Sequence, residues 1–316
     1  MRGDEAEITL GPVLFNWQPE QWRDFYFRIA DEAPVDTVYV GEAICSKRAP
    51  LFDRCRGAVL DRLDAAGKTV VLSTLSEVVL ALDRKQIDAM CAQARFPVEA
   101  NDTAALLSLA GRAHRIGPFM NVYNEATLAF LAGKGADGVC VPAELPAEAI
   151  RAMGETAAGL GVALEAQVFG RMPLALSARC YHARVYDRTR DSCLFVCEKD
   201  PDGLELKTLE GSPFLAINGI QTLSREYLNL VGELADLRVA GVSRFRLSPH
   251  SCDMVAVAEI FRAALDRAID VPEAMARIGR LDLPGPFCNG FYHHRPGNHW
   301  HRTGSAPARS GADLTR

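Results

Sequence analysis

Short runs of β-branched and apolar residues alternate along the chain with longer stretches whose apolar positions follow helical spacing. The runs predict eight strands, at residues 8–15, 37–43, 69–74, 96–100, 118–123, 138–142, 163–169 and 244–249. The longer stretches predict helices at residues 19–30, 53–66, 75–92, 103–115, 124–134, 145–160, 223–240 and 252–268. Strands that alternate with helices indicate a parallel sheet, and eight such strands predict an α/β fold, a (β/α)8 barrel of the TIM-barrel type.

One region departs from this alternation. Residues 170–222 contain no helical pattern, and turn signals at 200–203 (DPDG) and 210–213 (EGSP) separate short apolar runs. The pattern predicts a β-rich insertion after the seventh strand, and long insertions at this end of a barrel usually serve the active site. We therefore expect one barrel domain over residues 1–295, including the insertion, and a disordered polar tail over 296–316.

Composition and charge narrow the functional classes. Of the 316 residues, 48% are hydrophobic and 24% are charged, as in ordinary globular proteins. The formal net charge of −5 and the lack of a long basic run disfavour nucleic-acid binding. The sequence predicts neither a transmembrane helix nor a secretory signal. We expect a cytoplasmic protein, in which cysteines are normally reduced.

Nine cysteines are more than packing requires, and three of them lie in the polar insertion. Cys180, Cys193 and Cys197 have the spacing C-x12-C-x3-C, and Cys45 follows the second strand. Because the carboxyl ends of barrel strands meet at one face, Cys45 can join the other three there. Four thiolates are able to bind Zn²⁺ or a [4Fe–4S] cluster, but the spacing alone leaves a metal site and ordinary thiols equally open.

At these residues the chain resembles the U32 peptidase-like family. The segment EAQVFGRMPLALSARC (165–180) is similar to the family signature, and GEAICSKR (41–48) and CNGF (288–291) extend the resemblance over most of the chain. Other members carry a further cysteine shortly after the signature glycine, where this chain has none in residues 171–175. That departure is typical of the ubiquinone-biosynthesis branch of the family and puts protease activity in doubt. No G-x-S-x-G or H-E-x-x-H motif supports proteolysis either.

The resemblance implies a barrel related to TIM barrels and a [4Fe–4S] cluster bound by Cys45, Cys180, Cys193 and Cys197. It also implies a heterodimer with a paralogue, UbiU, that is required for oxygen-independent hydroxylation of the ubiquinone precursor ring. The chain would then be a hydroxylase subunit, and no catalytic residue is assigned. Two alternatives remain: a U32-type peptidase or RNA-hydroxylation factor, and a non-catalytic scaffold with zinc on the same four cysteines.

Several polar residues near these motifs have two interpretations. Glu42 and the pair Lys47–Arg48 flank Cys45. The functional interpretation is that they tune the properties of a cluster or bind an acidic substrate, and the structural interpretation is a surface ion pair. Glu165 lies among apolar neighbours and is either an acid of the site or an ion-pair partner of Arg171 or Arg179. Pairing is the favoured interpretation, because buried charges are usually paired.

The remaining polar motifs favour structural roles. Asn124 is expected to cap a helix, and Asn218–Gly219 to form a turn. His182 and His250 are interpreted as structural. The tract HHRPGNHWH (293–301) either binds a metal or is simply solvated, and solvation is the favoured interpretation.

Overall fold

The computed structural model describes residues 6–301, in which parallel strands close into a ring with helices between them. The strands are β1 (Glu7–Leu10), β2 (Thr37–Val40), β3 (Thr69–Ser73), β4 (Val98–Ala100), β5 (His114–Ile116), β6 (Ala136–Val141), β7 (Ala163–Leu176), β8 (Leu204–Lys207), β9 (Pro213–Asn218), β10 (Gln221–Asn229), β11 (Val242–Leu247) and β12 (Phe287–Cys288). Strands β1 to β7 follow one another around the ring, and β11 closes it by pairing in parallel with both β1 and β7. The predicted TIM-barrel-like fold is confirmed.

Ten α-helices surround the ring or lie in the connections within residues 6–301. They are α1 (Pro19–Glu32), α2 (Ala49–Ala65), α3 (Ala81–Ala92), α4 (Thr103–Leu109), α5 (Glu125–Ala132), α6 (Ala147–Leu160), α7 (Tyr181–Val185), α8 (Leu234–Val239), α9 (Met254–Leu265) and α10 (Val271–Ile278). None of these helices combines the length and the apolar character that crossing a membrane requires.

The barrel strands are buried on both faces, as parallel strands under a helical layer must be. All four residues of β2 are buried. The Tyr39 hydroxyl donates to Glu165 across the barrel interior, whereas Val40 faces Trp22 and Phe52 on the helices outside. The alternation of β2 therefore separates a polar barrel interior from an apolar outer layer.

The β-rich insertion after the seventh strand is also present. Strand β7 runs beyond the ring to Leu176 and pairs there with β10 in antiparallel fashion. Strands β10, β9 and β8 continue this extension outside the ring. A two-residue turn, Gly219–Ile220, joins β9 to β10. It begins one residue later than the turn predicted at Asn218–Gly219.

Three predicted elements are wrong. The helix predicted over 103–115 ends at Leu109, because residues 114–116 form a strand. The fifth strand is His114–Ile116 rather than 118–123, where residues Pro118–Met120 form a 3-10 turn. The polar Arg115 points into the barrel, so the strand lacks the apolar run that marks the others. The helix predicted over 223–240 begins only at Leu234, because residues 223–229 belong to β10 and pair with β7.

The C-terminal segment predicted to be a disordered tail is described only in its first part. Residues 296–301 are described, and the backbone N–H of His301 donates to Asn289 Oδ1 at 2.7 Å. The backbone N–H of Asn289 in turn donates to the His299 carbonyl at 3.1 Å. Residues 302–316 lie outside the described part of the chain.

Candidate functional site

The four predicted cysteines line one cavity at the carboxyl-terminal face of the barrel. Cys45 lies in the loop after β2, and Cys180 is the N-cap residue of α7. Cys193 lies in the loop that follows α7, and Cys197 lies in the 3-10 turn Val196–Lys199. The structure thus brings together residues that are separated by up to 152 positions in the sequence (197 − 45).

The barrel and the insertion both position these cysteines. Cys180 packs against a small apolar cluster of Leu14, Ala43, Ile44 and Ile220. Leu14 comes from the loop after β1, Ala43 and Ile44 precede Cys45, and Ile220 belongs to the turn between β9 and β10. Burial of this cluster fixes the insertion against the loops of β1 and β2.

Arg48 is the buried cation of the cavity. Its side chain is 1% exposed, its Nη1 donates to the Leu14 carbonyl at 2.9 Å, and its Nη2 donates to Asn218 Oδ1 at 3.0 Å. The Nε atom has no hydrogen-bond partner among the described residues. A Cβ atom on Gly219 would lie 2.6 Å from Nη2, so only glycine leaves room for the guanidinium.

Glu42 and Lys47 hold the backbone around the cavity rather than pairing at the surface. Glu42 Oε1 accepts hydrogen bonds from the backbone N–H groups of Ile44 and Cys45, at 2.8 and 2.9 Å. Lys47 Nζ donates to the carbonyls of Arg190 and Asp191 at 2.7 and 3.1 Å. The two charged side chains thus fix the Cys45 loop and the segment that leads to Cys193.

The turn at residues 200–203 attaches the cysteine segment to the barrel. Asp200 Oδ2 is 2.8 Å from His182 Nε2 and accepts a hydrogen bond from the Tyr186 hydroxyl at 3.0 Å. Trp17 Nε1 on the barrel side donates to the Pro201 carbonyl at 2.7 Å. His182 is fully buried and also lines the cysteine cavity, and its structural role stays a prediction.

The same turn contacts His250, the second histidine with a predicted structural role. Its Nδ1 lies 3.4 Å from Asp202 Oδ1, and its Nε2 accepts from the backbone N–H of Arg171 at 3.0 Å. The ring also packs edge-on against Tyr227. Burial lowers the pKa of His250, while Asp202 opposes that shift and the Arg171 charge adds to it. Both ring nitrogens therefore face fixed partners inside the protein.

Burial in the cysteine cavity disfavours thiolates whose negative charge is not balanced by a nearby positive charge. Burial raises the pKa of Cys45 and of Cys197, and the Arg48 charge offsets part of each increase. Cys180 Sγ also accepts a hydrogen bond from the Ala183 N–H at 3.4 Å. Four thiols with one buried guanidinium suit a bound cation or metal cluster, since coordination replaces the protons. In the part of the chain that the structure describes, no three His, Cys, Asp or Glu side chains are already arranged to hold a metal ion.

The other five cysteines lie apart from this cavity. They are Cys55, Cys91, Cys140, Cys252 and Cys288, and all except Cys252 are buried. Cys91 and Cys140 lie in α3 and β6, where a thiol behaves as a small apolar side chain.

A second group of charged side chains fills the barrel interior. Arg246 Nη1 lies 2.6 Å from Glu99 Oε1 and 3.3 Å from Glu165 Oε2, and Tyr39 donates to Glu165 at 2.9 Å. The predicted partners of Glu165, Arg171 and Arg179, are therefore wrong. Burial by itself would raise the pKa of Glu165, but the Arg246 charge, the hydrogen bond from Thr9 and the Arg115 charge together outweigh it and hold the pKa below its usual value.

The barrel network was missed because its members come from separate strands. Glu99 and Arg246 each lie inside a predicted strand, whereas Arg115 lies at the end of the predicted helix 103–115. A charged residue inside a predicted buried strand is the signal that could have marked Glu99 and Arg246, and it was absent for Arg115. Neither their partners nor their position inside the ring could be read from that signal.

Comparison with known proteins places the chain in a family. The model of peptidase family U32 matches residues 21–302. The chain belongs to the U32 family. The resemblance seen in the sequence is thereby confirmed at the level of the family, whereas its ubiquinone-biosynthesis branch stays a prediction.

Solved structures with a similar chain path are distant. Phospho-2-dehydro-3-deoxyheptonate aldolase from Thermotoga maritima has 11% identity and a TM-score of 0.36, over 90% of this chain and 71% of that one. The spore cortex-lytic enzyme SleL from Bacillus megaterium QM B1551 has 10% identity and a TM-score of 0.27, over 78% of this chain and 71% of that one. Likenesses this weak carry no argument about function.

Proposed function

We propose that this U32 protein is a cytoplasmic iron–sulfur component of oxygen-independent ubiquinone biosynthesis, the role of the ubiquinone biosynthesis protein UbiV. In this proposal it pairs with UbiU, and the pair hydroxylates the ubiquinone precursor ring. The observation that carries the proposal is the meeting of Cys45, Cys180, Cys193 and Cys197 around one cavity. The departure in residues 171–175, which is typical of the ubiquinone branch, supports the choice within the family.

The donor chemistry around the cavity, four thiols beside one buried guanidinium, supports a [4Fe–4S] cluster. Cys45, Cys180, Cys193 and Cys197 would hold it, and a cluster with four thiolate ligands supplies one-electron transfer. The Arg48 guanidinium, buried and with Nε unpartnered, would balance negative charge at the site. The apolar side chains of Phe195 and Val196 line the same cavity and limit access of water.

Loss of the bound iron tests this ligand set. The chain is purified without oxygen, and iron and acid-labile sulfide are counted per chain. Cys180→Ala and Cys193→Ala should each remove the visible charge-transfer absorption and most of the iron. Cys252→Ala is the matched control, because Cys252 is a partly exposed thiol outside the cavity, and it should retain both. Full iron in the first two variants would refute the ligand set.

Three further measurements separate the alternatives. Zinc in place of iron, with no EPR signal after reduction, would favour a structural zinc scaffold. A deletion strain grown without oxygen should lack ubiquinone, and copurification should recover UbiU with the chain. A strain with normal anaerobic ubiquinone would contradict the proposed pathway and favour the peptidase or RNA-hydroxylation role.

A further inference from the structure

A separate cavity of about 420 Å³ lies between the outer face of β2 and β3 and helices α2 and α3. Its walls are mainly apolar, with Val40 and Leu72 from the strands, and Phe52 and Ile87 from the helices. Protein interiors are normally packed with few voids larger than a water molecule. This volume instead lies in the range of small-molecule binding pockets.

Glu42 provides a carboxylate at the end of this apolar cavity. It belongs to the cavity lining, and its Oε1 is occupied by the backbone N–H groups of Ile44 and Cys45. Its Oε2 forms no hydrogen bond within residues 6–301; burial raises the pKa of Glu42, and the Arg48 charge opposes that increase. The other charged pair of the lining, Asp53 and Arg56, is joined by a 3.0 Å ion pair on the half-exposed side of α2. Glu42 therefore offers one oxygen as a hydrogen-bond acceptor to a ligand.

Apolar surface continues from the cavity along α3. Gln86 and Met90 line the cavity, and Leu82, which is 61% exposed, lies one helical turn before Gln86 on the same face. A hydrocarbon chain that fills the cavity can therefore extend over Leu82.

We infer that this cavity binds a neutral phenol that carries a hydrocarbon chain, with the phenol hydroxyl donating to Glu42 Oε2. The apolar walls fit the ring and the chain, and the acceptor oxygen fits the hydroxyl. A carboxylate ligand would bring a like charge next to Glu42 in a poorly solvated site, so anionic rings are excluded. The inference rests on the proposed function and deepens it, because a ubiquinone precursor is an aromatic ring with an isoprenoid chain.

The Glu42 side chain connects the inferred site to the cysteine cavity. The Glu42 carboxylate that faces the ligand also holds the backbone N–H of Cys45 at 2.9 Å.

Calorimetric titration of the full chain with matched small ligands tests the binding site. The probes are 2-pentylphenol, its methyl ether 2-pentylanisole, 2-pentylbenzoate and 2-pentylbenzylamine. The phenol should bind at least about tenfold more tightly than the ether, which cannot donate a hydrogen bond to the charged acceptor. The benzoate should not bind, whereas the amine should bind, because its charge is opposite to that of Glu42. Equal binding of the phenol and the ether, no saturable binding of the phenol, or failure of the amine to bind would overturn the inference.

Three variants locate the binding. Ala89→Phe adds a ring at an exposed position of the cavity lining and should weaken binding, whereas Ala92→Phe adds the same ring to an exposed position of α3 outside the lining and should not. Glu42→Gln keeps an acceptor for the loop but presents an amide donor to the ligand, so the preference for phenol over ether should disappear. Equal loss of binding in both phenylalanine variants would contradict the proposed location. The four-probe comparison on the unchanged protein does not depend on whether these variants fold.

Iron and sulfide counts on the same preparation distinguish failure of this inference from failure of the proposed function. A preparation with a full cluster that binds no phenol overturns the inference alone. A preparation that binds the phenol but holds no cluster overturns the iron–sulfur proposal alone.

Discussion

Gly219→Ala should destabilise the protein more than an equivalent glycine substitution in the same insertion. Gly219 has φ +63°, and an added Cβ would lie 2.6 Å from Arg48 Nη2. Gly211, in the connection between β8 and β9, has φ +85°, but a Cβ there would meet nothing within 4 Å. Both variants therefore carry the left-handed backbone cost, and only Gly219→Ala also displaces the buried guanidinium.

The magnitudes follow from these two contributions. A non-glycine residue in the left-handed region costs about 1–2 kcal/mol, which is the expected effect of Gly211→Ala. Displacing Arg48 from Asn218 leaves buried polar atoms unpaired, at a further cost of about 1–3 kcal/mol. We therefore expect Gly219→Ala to lower the free energy of unfolding by about 2–5 kcal/mol.

Urea unfolding of the metal-free protein measures both effects. Tryptophan emission is a suitable signal, because Trp17 donates to the Pro201 carbonyl of the insertion. Bound iron is counted in parallel after anaerobic purification, and Gly219→Ala should bind less iron than Gly211→Ala. If the two variants unfold at the same urea concentration with the same iron content, the clash with Arg48 has no energetic consequence and the reasoning is refuted.

Two further predictions concern the buried charges. Arg246→Leu removes the cation that pairs with two buried glutamates and should lower the free energy of unfolding by about 3–5 kcal/mol in urea titrations. Arg95→Leu removes a cation from an exposed ion pair and should change the free energy of unfolding little. Equal effects of the two substitutions would show that the buried charges of the barrel do not stabilise one another. Burial lowers the folded-state pKa of His250; Asp202 opposes this shift, and the Arg171 charge adds to it. As the pH falls, His250 is therefore protonated in the unfolded chain before it is protonated in the folded protein. The contribution of His250 is complete above an unfolded-state pKa of about 6.5 and declines below it, by at most about 1.4 kcal/mol per pH unit, down to the folded-state pKa. Unfolding measured from pH 7.5 to 5 should show a shallower decline in His250→Gln, and identical slopes would contradict this assignment.

The sequence by itself determined the class of fold and drew attention to the cysteines of the insertion. Alternating apolar runs and helical patterns predicted a TIM-type barrel, because burial on both faces makes parallel strands recognisable as short apolar runs. Turn signals located the insertion after the seventh strand. Cysteines in polar sequence were recognisable as unusual, and the four that were selected line one cavity.

Some boundaries were hidden because local patterns are ambiguous. Residues 223–229 fit a helix by spacing, and only their pairing with β7 makes them a strand. His114–Ile116 is a strand although its middle residue is charged, because that residue points into a barrel interior that other strands make polar.

Only the tertiary structure decided which side chains compensate one another. Glu165 pairs with Arg246 rather than with its sequence neighbours, and Arg48 is held by Asn218 from a strand 170 residues away. The cavity beside Glu42 likewise exists only where two strands and two helices meet. Local propensity acts between residues close in sequence, whereas charge pairing and cavity shape depend on distances that closure of the barrel sets.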